Sequence, residues 1–270
     1  RGSAGRDVVY VLGGSDRGKT TLARHLAAAL ALHHPTAFID CDMGQSGIGP
    51  PATVGMRVHP GGEHLRFVGS TSPSGHLLQT LAAEKRLLER ALALGAAKVI
   101  VDSSGFVFGS VPEEFQFQTI DLLQPDHLVA IQRGEELEDL LDNFRRHPAM
   151  RIHRLAPSFA VVERGREQRR AYRERLFREY FRDARIQEIP LAALGVHGRV
   201  PVGGAADTER GLLVGLNDAE NFLLALGILE DWKPEERTLT VFAPPYERDS
   251  LATIQFGSLR LDRRSLERQG

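Results

Sequence analysis

Cysteine, lysine and long apolar segments are all scarce in this sequence of 270 residues. Cys41 is the only cysteine, which excludes an internal disulfide and fits a reducing cytoplasm. Its place between two aspartates leaves two interpretations, redox control or a small buried residue at a strand end. No run of about 18 apolar residues occurs, and the first residues, RGSAGRD, lack the apolar stretch of a signal peptide. We therefore expect a cytoplasmic protein with no membrane contact.

An excess of charge of either sign is also absent. The formal net charge is −1, so no overall positive field draws the protein to nucleic acid or to anionic lipid. Any nucleic-acid binding then requires a local basic patch. Lysine supplies only four of the 34 basic side chains, a bias that a GC-rich genome or a hot habitat can produce.

Short apolar runs alternate with helical patterns in the first part of the chain. The runs typical of buried strands are 8–12, 37–40, 64–69, 98–102, 127–131 and 151–156. Residues 20–34 and 76–95 have the apolar spacing of helices. The alternation predicts an α/β fold with a mainly parallel central sheet flanked by helices.

The composition changes toward the C-terminus. After Pro190 the chain becomes glycine-rich, with strand-like runs at 211–216, 238–245 and 251–261. The length is sufficient for one large core and an accessory piece. We predict one domain over residues 1–190 and a small β-rich domain over residues 191–270.

The stretch GGSDRGKT, residues 13–20, has the pattern Gly-x-x-x-x-Gly-Lys-Thr between a predicted strand and a predicted helix. In this context the pattern is typical of a phosphate-binding loop, since glycine lets the backbone approach phosphate oxygens and the helix dipole attracts them. Lys19 would reach the β- and γ-phosphates of ATP, and the Thr20 hydroxyl would ligate Mg²⁺. The fold prediction becomes a P-loop NTPase. The predicted nucleotide-binding residues are Gly13, Gly14, Ser15, Asp16, Arg17, Gly18, Lys19, Thr20 and Thr21.

Acidic residues follow two predicted strands, at the sheet edge where open α/β folds bind ligands. Asp40 ends one strand, where its carboxylate would hold Mg²⁺, and Asp42 lies where it would serve as general base toward an acceptor. Gln45 would orient the acceptor or a water. Asp102, at the end of the 98–102 strand, is a rival metal ligand or else a cap of the next segment. The alternative for Asp40, Asp42 and Gln45 is an acidic turn that only caps the segment after it, with no role in the chemistry.

Arginine is concentrated in residues 164–185, which contain nine arginines and four acidic residues. Arg169 and Arg173 are four residues apart, so on a helix they share one face. Such a helix, closing over ATP as a lid at 164–182, would bring guanidinium groups to the γ-phosphate. The alternative is a solvated helix in which the arginines pair with Glu167, Glu174 and Glu179. We expect a catalytic role for two or three of the arginines.

Four stretches, taken in order, carry a resemblance to a known family. They are GGSDRGKTTL (13–22), DMGQSGIGPPATVG (42–55), FVGSTSPSG (67–75) and VVERGREQRRAYRERLFREYF (161–181). The chain resembles the polynucleotide 5′-hydroxyl kinases, which include the kinase subunit of the messenger-RNA cleavage factor and the nucleolar ribosomal-RNA kinase. Four ordered motifs are far more specific than a phosphate-binding loop alone.

The resemblance implies roles for individual residues. Lys19, Thr20 and Thr21 would bind ATP and Mg²⁺. Asp42 would be the base that activates the 5′-hydroxyl, and Gln45 would lie beside the substrate. The lid arginines would be Arg169, Arg173 and Arg164.

The stretch SSGF, residues 103–106, stands where the family has a Thr-x-Gly-Trp clasp on the terminal nucleotide. Ser103 replaces the threonine and Phe106 replaces the tryptophan. A phenyl ring also stacks on bases, at about 1–3 kcal/mol per base. The alternative for Phe106 is an aromatic side chain that anchors its loop in the core.

The resemblance thus implies an enzyme that transfers the γ-phosphate of ATP to the 5′-hydroxyl end of RNA or DNA, in end repair or processing. We expect a compact, monomeric member without the extra N-terminal domain of larger relatives. The rival hypotheses are a nucleotide-switch ATPase that hydrolyses ATP onto water and a small-metabolite kinase. Neither rival needs an arginine lid together with an aromatic clasp.

Overall fold

The computed structural model describes residues 7–201 and 210–267, and the statements below refer to that part of the chain. Its first sheet has seven strands. They are β1 (Asp7–Gly13), β2 (Thr36–Asp40), β3 (Thr53–His59), β4 (Glu63–Phe67), β5 (Lys98–Asp102), β6 (His127–Ile131) and β7 (Arg151–Leu155). Their order across the sheet is β4-β3-β2-β5-β1-β6-β7. Neighbours from β2 to β7 in this order pair in parallel, whereas β3 pairs antiparallel with both β2 and β4. The predicted mainly parallel sheet is confirmed.

Helices cover both faces of this sheet. They are α1 (Lys19–Ala31), α2 (Leu77–Ala93), α3 (Ser110–Leu123), the short α4 (Glu138–Asp142) and α5 (Arg166–Tyr180). Side chains alternate along a strand, so Tyr10 of β1 packs in one core with Leu87 of α2, whereas Val11 packs with Ala23 of α1 on the other face. None of the described helices has the length and hydropathy to cross a membrane.

A second sheet of six strands follows. It comprises β8 (Arg185–Pro190), β9 (Gly195–Gly198), β10 (Leu212–Asn217), β11 (Leu223–Lys233), β12 (Thr238–Ala243) and β13 (Thr253–Arg260), in the order β8-β12-β11-β10-β13-β9. The predicted C-terminal β-rich region is thus present. However, β8 pairs with β12 over all six of its residues, so this sheet begins before residue 191.

The two sheets share a hydrophobic cluster with the C-terminal end of α5. Phe67 of β4, Phe177 of α5 and Leu213 of β10 belong to it. Phe181, just after α5, stacks on Phe242 of β12 with ring centroids 6.0 Å apart. The cluster therefore ties the arginine-rich helix to both sheets at one end.

The carboxyl ends of the central strands lie side by side. Asp40, the last residue of β2, is in register with Asp102, the last residue of β5. Val11 of β1 is also in register with Asp102, and the phosphate-binding loop follows two residues later. The parallel topology therefore gathers the loop and the predicted acidic residues at one edge.

Candidate active site

The phosphate-binding loop connects β1 to α1 through a tight turn. Asp16 and Gly18 have positive φ values of 52° and 87°, and glycine adopts this backbone region without steric cost. Gly13 packs so closely that a Cβ there would lie 2.7 Å from the Ile131 carbonyl oxygen. The loop thus requires the glycines at both ends of its pattern.

Lys19 lies at the base of this loop and is only 6% exposed. Its Nζ donates a hydrogen bond of 2.8 Å to the Gly14 carbonyl oxygen. Burial lowers the pKa of Lys19, and the nearby carboxylates of Asp102 and Asp42 oppose that shift. The ammonium group is therefore held near acidic groups. An anionic ligand such as phosphate could replace the Gly14 carbonyl oxygen as its hydrogen-bond acceptor.

The acidic loop after β2 is organised by its own carboxylates. Oδ1 of Asp42 accepts hydrogen bonds from the backbone N–H groups of Gly44 and Gln45, both at 3.0 Å. These bonds hold the loop in a turn and fix the direction of the Asp42 side chain, which lies in the wall of a cleft. The Asp42 carboxylate thus both holds the turn and lines the cleft.

The carboxylates of Asp40 and Asp102 differ in the hydrogen bonds that their oxygens accept. Oδ1 of Asp40 accepts from the Asp42 N–H at 3.1 Å, and its Oδ2 accepts from the Gly47 N–H at 2.8 Å. Both oxygens of Asp102 are buried and lack a hydrogen-bond partner among the described residues. Burial raises the pKa of Asp40 to about 7 and that of Asp102 to about 6. The Thr20 hydroxyl and the Lys19 ammonium counteract the shift at Asp102.

The arginine-rich helix α5 leans over the phosphate-binding loop. Nη2 of Arg169 lies 2.5 Å from Oδ2 of Asp16, which also accepts the backbone N–H of Arg164 at 3.1 Å. The Tyr172 hydroxyl donates to the Ser46 carbonyl oxygen at 3.0 Å. The helix is thus fastened to the phosphate-binding loop and to the acidic loop. Other arginines pair within the helix, as Arg170 does with Glu174.

A cleft of about 1270 Å³ lies between the phosphate-binding loop, the acidic loop and α5. It brings together most of the residues predicted from the sequence: Ser15, Asp16, Arg17, Gly18, Lys19, Thr20, Thr21, Asp42, Gln45, Phe106, Arg164, Arg169 and Arg173. Five predicted residues are not part of its lining: Gly13, Gly14, Asp40, Asp102 and Ser103. The two glycines shape the loop from behind, and Asp40 supports the acidic loop.

The SSGF stretch packs directly on the phosphate-binding loop, because a Cβ on Gly105 would lie 2.3 Å from the Ser15 hydroxyl oxygen. Phe106 is half-buried, lines the cleft and meets the Phe115 ring edge-on at 6.2 Å. Ser103 is 1% exposed, whereas Ser104 lines the cleft with a hydroxyl that has no hydrogen-bond partner among the described residues. The serine that reaches the cleft is therefore the second of the pair.

Sequence reasoning missed several side chains that line the cleft, among them Arg24, His25, Thr71, Val161 and Tyr172. For two of these residues, helical spacing from a predicted site residue would have indicated a position on the same face. Arg24 lies one helical turn after Thr20, and Tyr172 one turn after Arg169. Val161 approaches Gly18 from a distant segment, and nothing in its local sequence indicates this contact.

The elements that form the cleft also lie within a segment that matches a known protein family. Residues 13–183, well over half of the chain, match the family described as mRNA cleavage and polyadenylation factor CLP1 P-loop. The chain belongs to this family. The CLP1 P-loop match begins at the phosphate-binding loop and ends just after α5, so it includes the acidic loop and the predicted lid.

Individual relatives extend the likeness. A protein named polyribonucleotide 5′-hydroxyl-kinase, from Methanocaldococcus jannaschii, is 27% identical over 322 residues, which cover 94% of this chain and 87% of the relative. A protein named CLP1 homolog, from Culex quinquefasciatus, is 31% identical over 204 residues, which cover 68% of this chain and 47% of the relative. The archaeal match thus continues into the second sheet.

Among solved structures, the wild-type Clp1p–Pcf11p complex contains a similar chain. The likeness has a TM-score of 0.70 at 16% identity and covers 94% of this chain and 74% of the other. At this identity the likeness establishes a shared fold, which agrees with the predicted P-loop NTPase.

Proposed function

We propose that this protein is an ATP-dependent kinase that transfers the γ-phosphate of ATP to the 5′-hydroxyl end of a polyribonucleotide. The observation that carries the proposal is one cleft lined by Lys19, by the carboxylate of Asp42 and by the lid residues Arg169 and Arg173. Phosphoryl transfer requires this combination of phosphate anchor, acceptor base and charge stabilisation. The archaeal relative is named a polyribonucleotide 5′-hydroxyl-kinase, which supports a polyribonucleotide as the acceptor.

In the proposed reaction, Asp42 accepts the proton of the 5′-hydroxyl as its oxygen attacks the γ-phosphorus in line. The bond between the γ-phosphorus and the β,γ-bridging oxygen breaks, and ADP leaves with that electron pair. Lys19 neutralises charge on the β- and γ-phosphates. Arg169 and Arg173 act on the equatorial oxygens, a contribution of about 10³–10⁵-fold for arginine fingers.

The residues present also fit Mg²⁺, which would neutralise charge on the β- and γ-phosphates. Asp102 supplies two buried oxygens that make no close hydrogen bond within the described part of the chain, and the Thr20 hydroxyl lies near enough to lower the pKa of this carboxyl. We assign the metal-facing carboxylate to Asp102, because both Asp40 oxygens already accept backbone N–H groups. The described residues contain no cluster of three or more acidic, histidine or cysteine ligands, which suits an ion that keeps phosphate and water ligands.

The acceptor end would lie between Asp42 and the SSGF stretch. The half-buried Phe106 presents an aromatic ring to the cleft, which favours stacking on the terminal base. The Ser104 hydroxyl would bond the same nucleotide. We also propose that the enzyme is monomeric. We place its domain boundary between α5 and β8.

The test is transfer of label from γ-labelled ATP to matched RNA and DNA oligonucleotides with 5′-hydroxyl ends. Label on the RNA end, reduced about 10²–10⁴-fold in Asp42→Asn, is the expected result, because the variant loses the general base. Asp139→Asn, a change of the same type at an exposed position on α4, serves as the control. The RNA-to-DNA ratio measures the acceptor preference.

Two outcomes would contradict the proposal. ATP hydrolysis that is indifferent to oligonucleotide, with no label on either nucleic acid, would favour the nucleotide-switch ATPase. Equal transfer by wild type and Asp42→Asn would remove Asp42 from the reaction.

A further inference from the structure

We propose that the second sheet is part of the catalytic apparatus, because Ser258 and His76 position the acceptor side of the cleft. The segment concerned, residues 69–76, connects β4 to α2 and is called the acceptor loop below. This inference rests on the proposed function and assigns the second sheet a role in it.

The first anchor is a close backbone contact between the acceptor loop and β13. The N–H groups of Ser258 and Leu259 donate to the Gly69 carbonyl oxygen at 3.0 and 3.1 Å. A Cβ on Gly69 would lie 2.5 Å from the Cα of Gly257, and φ of Gly69 is +84°. Two glycines are therefore needed for the chains to approach this closely.

The second anchor holds the other end of the acceptor loop. The Ser258 hydroxyl shares a hydrogen bond of 3.0 Å with Nε2 of His76, which is 4% exposed. Arg199, directly after β9, donates from Nη2 to the Gly75 carbonyl oxygen at 2.8 Å. The acceptor loop is thus fastened at both ends to the second sheet, with Ser258 common to both anchors.

Between its anchors the acceptor loop reaches the reacting groups. Thr71, Ser72 and Pro73 line the cleft. The Thr71 carbonyl oxygen packs against Gly44, where a Cβ would lie only 2.7 Å from it. The N–H of Gly44 in turn donates to Oδ1 of Asp42. A shift of the acceptor loop is therefore transmitted to the carboxylate that faces the acceptor.

Neither Ser258 nor His76 lines the cleft, so both act as positioning residues. The phosphate-binding loop depends on different contacts, such as that between Gly13 and Ile131 of β6. Loss of the Ser258 hydroxyl is thus expected to affect the nucleic-acid acceptor and to leave ATP binding intact. A general loss of stability would affect both substrates.

The experiment measures kcat and KM for both substrates in Ser258→Ala, Ser258→Thr and Thr253→Val. Ser258→Ala should raise the KM for a 5′-hydroxyl RNA about tenfold, with the KM for ATP changed less than about twofold. Ser258→Thr keeps the hydroxyl and should restore the wild-type values. Thr253→Val is the control, because it removes a 2.9 Å hydrogen bond to Asn221 at the other end of β13.

Amide hydrogen exchange over residues 69–76 supplies a readout that needs no activity. Loss of the hydroxyl should accelerate exchange there about fivefold, with the melting temperature shifted by no more than about 2 °C. Equal changes in both KM values, or the same change in Thr253→Val, would overturn the inference. A wild-type protein that transfers no phosphate would instead overturn the proposed function, so the two failures are distinguishable.

Discussion

At the scale of single residues, Glu84 has the most unusual environment. It lies on α2, is 1% exposed, and its Oε2 has no hydrogen-bond partner in the described part of the chain. Burial raises the pKa of Glu84 to about 8, and burial also raises the pKa of the neighbouring Cys41 thiol well above its usual range. A buried thiol of high pKa is a poor nucleophile, which supports the packing interpretation of Cys41.

This environment makes stability depend on pH. The pKa of Glu84 rises from an ordinary value of 4.5 to about 8 on folding, so the folded state holds an extra proton between these values. The free energy of unfolding therefore falls as pH increases from about 4.5 to about 8, and it levels off above pH 8, where Glu84 is ionised in both states. Between pH 5 and 9 the wild type should lose a few kcal/mol relative to Glu84→Gln.

Urea unfolding of both proteins at pH 5 and pH 9 measures the difference. Glu89→Gln, at an exposed position on the same helix, is the control and should follow the wild type. An equal change in the free energy of unfolding between pH 5 and pH 9 for wild type and Glu84→Gln would show that Glu84 keeps an ordinary pKa.

At the scale of elements, helix α5 combines two behaviours that the sequence presented as alternatives. Pairs such as Arg175–Glu179 are those of a solvated helix. Arg169 instead donates a hydrogen bond to the Asp16 carboxylate in the phosphate-binding loop, and the Tyr172 hydroxyl donates to the Ser46 carbonyl oxygen in the acidic loop. The helix thus has an anchored end in the hydrophobic cluster and a polar end that rests on the nucleotide site.

The bond from Tyr172 provides a test of the lid. Tyr172→Phe removes only the hydroxyl that donates to the Ser46 carbonyl oxygen. A typical hydrogen bond contributes about 0.5–1.5 kcal/mol, so kcat/KM for phosphoryl transfer should fall about two- to tenfold. Steady-state kinetics measure this, with Tyr246→Phe between β12 and β13 as the control. Unchanged kinetics in Tyr172→Phe would mean that this contact does not hold the lid.

At the scale of the whole molecule, near-neutral charge limits how nucleic acid can bind. The formal net charge is −1, and several arginines are paired with acidic side chains. Arg24 and Arg164, which line the cleft and have no role in the proposed transfer step, are therefore the main candidates for contacts to nucleic-acid phosphates.

Few phosphate contacts predict a shallow salt dependence. The slope of log K against log salt for a single-stranded oligonucleotide should be no steeper than about −5. Fluorescence anisotropy at several salt concentrations measures it. Arg164→Gln should reduce the slope by about one unit, whereas Arg170→Gln, which faces solvent beside Glu174, should not. A steeper wild-type slope would require a basic surface outside the cleft.

Much of the first sheet was predictable, because β1, β2, β5 and β6 are short, mainly apolar runs with most residues buried, whereas the parallel edge strand β7 is mostly exposed. Other elements carried weaker signals. Strand β3 places glycine and arginine within its seven residues, and α3 has a proline in its first turn and the buried polar residues Gln116 and Thr119. Strand β11 begins with the apolar run LLALGIL, residues 223–229, whose periodicity does not distinguish a strand from a helix.

The sequence by itself determined the phosphate-binding loop, the strand ends that carry Asp40, Asp42 and Asp102, and the arginine-rich helix. These features depend on neighbours along the chain, such as glycines at fixed spacing and acidic residues after apolar runs. Tertiary structure decided which carboxylate keeps its oxygens unpartnered, which serine reaches the cleft, and how β13 holds the acceptor loop. The hold of β13 on the acceptor loop depends on groups more than 100 residues apart in the chain, such as Ser258 and His76, whose approach only the packed fold specifies.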